Sequence, residues 1–215
     1  MKNSSTPLQN RVLPTGEIVS ASFRGHFTGN RGVLPFDATG RLGPSRWKHQ
    51  HWIICTLHHP RGRYHGPQPA RGWTPFFFTD EAVGLAAGHR PCAYCRRDAY
   101  DAWRTAWEQT FGHWPGHKEA DKYLHKARVT RRREQVRHIA DIGTLPTGAF
   151  VLLQGLPHLV RKDGICSWEN GQYGPIVPRP TGPVSVLTPR PTISILHAGF
   201  RPEFADAASS DQNDV

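Results

Sequence analysis

The chain has 215 residues, 37% of them hydrophobic, with 19 prolines, 21 glycines and a formal net charge of +10. That length suits one domain, no apolar run is long enough to cross a bilayer, and the proline and glycine content speaks against a helical bundle or a doubly wound sheet. The charge is uneven: Glu203 to Val215 holds four acidic residues and no Lys or Arg, so a −4 tail leaves +14 on residues 1–202, a body suited to a polyanion and most often to nucleic acid.

Residues 1–10 are polar and predict a disordered start without the apolar core of a secretory signal, which implies a cytoplasmic chain with reduced thiols. A short strand is expected at 17–20, followed by turns at Gly25, Gly29-Asn30 and Gly32. His51–Leu57 is bulky and β-branched enough for a second strand, and Pro60, Gly62 and Gly66 break the chain after it. Phe76–Phe78 predicts a third strand. Thr79 is then the expected N-cap of a helix that carries Asp80 and Glu81 in its first turn and ends at Gly88.

Pro91 marks the expected start of a second helix running from Cys92 to Gly112, with Ala99, Trp103, Ala106, Trp107 and Phe111 on its apolar face. Arg97/Asp101 and Arg104/Glu108 have the spacing of ion pairs on its outer face. Lys118–Ala140 predicts a further helix with a break near Thr130. Beyond Leu145 short β segments are expected at 149–154, 158–161, 165–168 and 184–187, then a last helix at 192–198. The whole predicts an α+β fold: a loop-rich domain over 11–202 with short β-strands, a central pair of amphipathic helices and a zinc-stabilised CxxC site. Its middle (79–140) is helical, 145–190 is β-rich, and 203–215 form an acidic disordered tail.

Four cysteines are present, Cys55, Cys92, Cys95 and Cys166. Cys92-x-x-Cys95 brings two sulfurs to one side of a turn, and nearby Arg90, Arg96 and Arg97 favour the thiolate. Zinc takes four such ligands from Cys or neutral His. Cys55 is the expected third and His89 the fourth, with His59 as runner-up through a Cys-x-x-x-His spacing and Cys166 as a remoter option. A thioredoxin-type redox pair would need a βαβ context that is missing, and two ordinary reduced cysteines are the bland alternative. Zinc in this setting is expected to be structural.

The stretch "FFFTDEAVGLAAGHRPCAYCRR" resembles the second half of the Ada-type metal-binding domain. Phe78, Glu81, Ala82, Ala86, Ala87, Gly88, Arg90, Pro91, Cys92 and Cys95 carry the likeness. It implies zinc at Cys92 and Cys95 and a place in DNA repair. It departs upstream, where that family has Cys-x-x-x-Cys and this chain has Cys55 followed by His59. "NRVLPTGEIV", "GNRG" and "WIIC" resemble an uncharacterised bacterial protein family, a likeness that implies no function.

Seven Lys/Arg against Glu134 occupy 122–137. With Arg31 in the "GNRG" loop and Arg96, the residues Arg128, Arg131, Arg132, Arg133 and Arg137 are the candidate phosphate contacts, giving affinity without sequence reading. Asp121, His125 and Arg128 share one helix face. An Asp-oriented His there, with Glu17 as a further acid, is a candidate general base for an enzyme acting on nucleic acid or nucleotides, a hydrolase or nuclease. No Walker loop, nucleophile elbow, His-Glu-x-x-His or dinucleotide fingerprint is present. The first expectation is a zinc-stabilised nucleic-acid-binding protein, DNA being the expected ligand. The enzyme stands second and a protein-interaction module third.

Overall fold

The computed structural model describes residues 7–59, 62–63 and 73–205, with the backbone alone at 58, 59, 62 and 63. Within them the chain is a mixed α and β structure of four helices and two six-stranded sheets. The strands are β1 (Gln9–Val12), β2 (Ile18–Ser20), β3 (Phe27–Asn30), β4 (Ile53–Thr56), β5 (His58–His59), β6 (Gly62–Arg63) and β7 (Phe76–Phe78). Helix α1 (Glu81–Ala86) and strand β8 (Arg90–Pro91) follow, then helices α2 (Arg97–Phe111) and α3 (His117–Arg128). The second half holds β9 (His138–Asp141), β10 (Phe150–Leu153), β11 (Leu156–Val160), β12 (Ile165–Glu169), β13 (Gln172–Val177), β14 (Pro183–Val186) and helix α4 (Arg190–His197). No helix of the described residues is long and apolar enough to cross a membrane.

The first sheet runs β2-β1-β7-β3-β4-β8, and the second runs β13-β12-β11-β10-β14-β9 with every pair antiparallel. α1 touches β7 of one sheet and β10 of the other, which is why all six of its residues are buried. A helix with no solvent face needs small residues, and "EAVGLA" provides them: a Cβ on Gly84 would stand 2.7 Å from Ile54 Cδ1. The main core joins Ile54, Phe76 and Phe78 of the first sheet to Phe150, Leu159 and Trp168 of the second. A smaller cluster, including Val151, Val160 and Val186, packs separately.

Several expectations are corrected. Residues 9 and 10 are not disordered: they open β1, pairing with β2 and β7, because Val12 of this polar segment reaches the core. Asp80, not Thr79, caps α1 by accepting from Val83 N (2.9 Å), while Thr79 Oγ1 takes the Trp168 indole N–H. Pro91 does not open a helix. It lies in β8, parallel to β4, where Arg90 N donates to Trp52 O and Cys92 N to Ile54 O. A residue without an N–H fits such an edge strand because its neighbours supply the donors.

Helix α3 ends at Arg128, and the expected continuation to Ala140 is a turn and strand β9. Thr130 Oγ1 accepts from Arg132 N and Glu134 N, and Arg133 takes a positive φ (69°), so local side-chain bonding replaces the helical ladder. Strands β3 and β13 form where turns and loop were expected. Asp101 pairs with Arg104 at 4.0 Å instead of with Arg97, whose guanidinium lies near Tyr100. Glu203 to Ala205 are held against α1 and are not a free tail, and residues 206–215 lie outside the described residues.

Candidate functional site

Two sites stand out, a cysteine group where β4 and β8 pair and a cleft to which Trp52, the residue before β4, contributes a wall. The parallel register that sets Ile54 against Pro91 carries Cys55 alongside Cys92, and the turn at 92–95 folds Cys95 back to them. The three sulfurs lie within 4.8 Å of one another, all are free thiols, and together they could hold a metal ion. Tyr94 N donates to Cys92 Sγ (3.4 Å). Hydrogen bonds from Cys55 and Cys95, with backbone amides behind them, push the Cys92 thiol down against its burial. Cys55, whose proton is shared toward Cys92 and Cys95 in a buried setting, is pushed up. The site thus favours one thiolate at Cys92, with two further sulfurs placed to lose their protons to a cation.

The fourth ligand expected at His89 is not in this group. Its ring is buried between Phe78 (4.7 Å) and Trp52 (5.2 Å), and its Nε2 accepts from Arg31 Nε at 3.1 Å. Strand β8 alternates, so it sends His89 and Cys92 to different neighbours. Cys166 is also outside the group, in β12 against Leu159 O (3.9 Å), and burial pushes its thiol up to about 11. The side chain of His59 lies outside the described residues.

The second site is a cleft of about 710 Å³ lined by Arg31, Arg46, Arg128, Arg133 and Arg137. Trp47 and Trp52 form its aromatic wall, their rings 5.5 Å apart. The guanidinium carbons of Arg31 and Arg128 stand 3.8 and 4.1 Å from the Trp52 ring centre, within cation–π reach. Arg128 is fully engaged, donating to Gly88 O (2.7 Å), Gln50 O (2.6 Å) and His125 Nδ1 (3.1 Å). Four of the seven arginines singled out in the sequence (Arg31, Arg128, Arg133 and Arg137) therefore meet in one cleft. Arg131 and Arg132 are exposed outside it. Arg96 does not line the cleft: it is buried, donates to Glu81 and Glu203, and lies over the Phe27 ring.

The Asp121/His125 pair does not form. Asp121 is buried and accepts both Arg90 Nε and Nη2 at 2.7 Å, and its Oδ2 lies 2.7 Å from His51 Nδ1. His125 instead packs edge-on to Trp47 and Trp52, and burial, then Arg128 and Arg31, push it down to about 4, so it is neutral near pH 7 and a weak base. Glu17 lines the cleft and accepts from Thr15 Oγ1 (2.9 Å), with Glu134 the other carboxylate there. Arg46, Trp47 and Trp52 were not expected at a site. Their signal was the run "SRWKHQHW", where cations and indoles interleave, the composition of a nucleotide-facing surface. Protein-family models, curated proteins and solved structures yield no match to the chain.

Proposed function

We propose that the protein is a zinc-stabilised nucleic-acid-binding protein that takes DNA in the arginine-lined cleft. The observation that carries this reading is the cleft itself: five arginines against two glutamates, beside two tryptophans. Arginines neutralise phosphates and release counterions, and indoles offer bases a sequence-tolerant stacking face. The Ada-type likeness of residues 76–97 supports a place in DNA repair or its regulation.

Zinc is the reading for the metal because three sulfur donors suit a borderline-soft ion that takes tetrahedral thiolate sites. Cys55, Cys92 and Cys95 would hold it, and the Cys55-x-x-x-His59 spacing leaves His59 as the fourth ligand. When bound, the ion supplies a cross-link between β4 and the turn after β8. Trp52 lies three residues before Cys55, and His89, which orients Arg31, lies three before Cys92. The cross-link therefore bears on one wall of the cleft.

The purified protein is expected to carry one zinc per chain by mass spectrometry, lost in Cys92→Ser. Its affinity for single- or double-stranded DNA should fall steeply with salt, and Arg137→Ala should lower the slope of log affinity against log salt by roughly one. Metal-free protein, or affinity indifferent to salt, would overturn the reading.

A further inference from the structure

Arg31 is a charged group in an unusual position. It is 2% exposed and lines the cleft; its Nε is committed to His89, and its Nη2 has no hydrogen-bond partner among the described residues. A buried cation is ordinarily paired, yet the buried carboxylate of Asp121, which acts on the neighbouring Arg128, is held bidentately by Arg90 and faces His51. The groups that face Arg31 are cationic or neutral. Arg46 and Arg128 repel it, His89 is kept unprotonated by burial, by Arg31 itself and by Arg128, and Trp52 offers only its ring face. Burial, then Arg46, push the Arg31 guanidinium down to about 9, which still leaves it charged at pH 7.

Arg46 is the movable partner of this pair. It is half-buried, and among the described residues its donors reach carbonyls of its own loop alone, Gly43 O (2.5 Å) and Ser45 O (3.2 Å). Two like charges kept together on a cavity wall, one of them with an open donor, are complementary to an anion that both can share.

We propose that the Arg31–Arg46 wall of the cleft is a seat for a terminal phosphate monoester, so that the protein binds phosphorylated strand ends or nucleotide monophosphates in preference to the interior of a strand. This deepens the DNA-binding reading and rests on it. A diester inside a strand carries one charge and is flanked by sugar on both sides, which keeps it from a guanidinium recessed in a wall. A monoester carries close to two charges at pH 7, presents three terminal oxygens and has chain on one side only. Bidentate Arg–phosphate bonding rewards that geometry, and Trp47, half-buried on the same cleft, is placed to stack the attached base.

The test is binding, by fluorescence anisotropy at fixed salt, of three versions of one short oligonucleotide, unphosphorylated, 5′-phosphorylated and 3′-phosphorylated, with free AMP added as competitor to the phosphorylated strands. The phosphorylated strands should bind about tenfold more tightly than the unphosphorylated one. The 5′ and 3′ arms identify which end is read, and competition by AMP shows that a free nucleotide suffices. Arg31→Lys, which keeps the charge but not the fork, should abolish the preference, as should Arg46→Ala, which leaves the buried core untouched. Equal affinity for phosphorylated and unphosphorylated strands overturns this inference and leaves the DNA-binding reading standing. Failure of every strand to bind overturns both. A preference that survives in folded Arg46→Ala and Arg31→Lys protein places the monoester elsewhere and also overturns it.

Discussion

His89 sits where a positive charge is excluded. Its Nε2 takes the Arg31 N–H, so the ring proton is on Nδ1, which faces the Gly84 and Ala87 carbonyls without good hydrogen-bond geometry. Burial, then Arg31 and Arg128, hold it well below the ordinary histidine range. An unfolded histidine protonates near its ordinary value of about 6.5, whereas this one does so only far below it. The unfolded state therefore binds the extra proton first, so this contribution to stability is full above about pH 6.5 and is lost as the pH falls. His125, and His49 to a lesser degree, act in the same direction. Asp80 and Glu81, pushed up by burial, act in the opposite one. Comparing the wild type with His89→Gln isolates the histidine, because glutamine keeps an acceptor for Arg31 but does not titrate. Thermal unfolding midpoints at pH 7 and pH 5 should show a smaller loss in the variant by about 1–2 kcal/mol, roughly 5 °C. An equal loss in both proteins would mean that His89 protonates within the folded state.

At the level of elements, Gly88 links α1 to β8 and sets the direction of both. Its φ is +86°, and a Cβ there would stand 2.6 Å from Arg128 Cδ and 2.8 Å from Arg128 Cβ, on the side chain that donates to Gly88 O. Gly155 in the β10–β11 hairpin has a similar φ (+82°) but open space around it. Alanine should therefore cost about 1 kcal/mol at Gly155, the backbone term alone, and about 2–4 kcal/mol at Gly88, where Arg128 must also move. Urea unfolding of the two variants measures the difference, and equal costs would show that Arg128 has room to yield. The helix C-terminus at Gly88 was legible from its neighbours because capping is local chemistry. β8 was not, since "RP" becomes a strand only through its pairing with β4, more than thirty residues earlier. The same limit hid β3 and β13 and turned the basic run after Arg128 into an apparent helix: Val129, bridged to Gln135, and Thr130 respond to partners that no periodicity displays. The three thiols were legible because CxxC spacing is local and cysteine is scarce, whereas the displacement of His89 toward Arg31 depended on the strand.

At the scale of the whole molecule, the two sheets are joined through a pair of buried carboxylates at the start of α1. Asp80 accepts from Val83 N, from the Tyr173 hydroxyl of β13 (2.6 Å) and from Ala205 N (3.0 Å). Glu81 pairs with Arg96 and accepts from Glu203 N (3.0 Å), and Glu81 N donates to Glu203 O. Phe204 packs on the core beneath the Arg161 guanidinium. The segment 203–205 is thus a clasp on α1, and only the residues after it can act as an acidic tail. Cutting the chain at two places separates these roles. A chain ending at Ala205 keeps every described donor and should unfold at the wild-type temperature. Three acidic residues are gone from it, which should raise its affinity for DNA at low salt. A chain ending at Pro202 leaves Asp80 and Glu81 buried with fewer donors and takes Glu203 from Arg96. Buried charges stripped of partners cost roughly 2–5 kcal/mol, so its midpoint should fall by about 5–15 °C. Equal stability of the two chains would show that the clasp is dispensable and that Arg96 alone neutralises the carboxylates at the joint between the sheets.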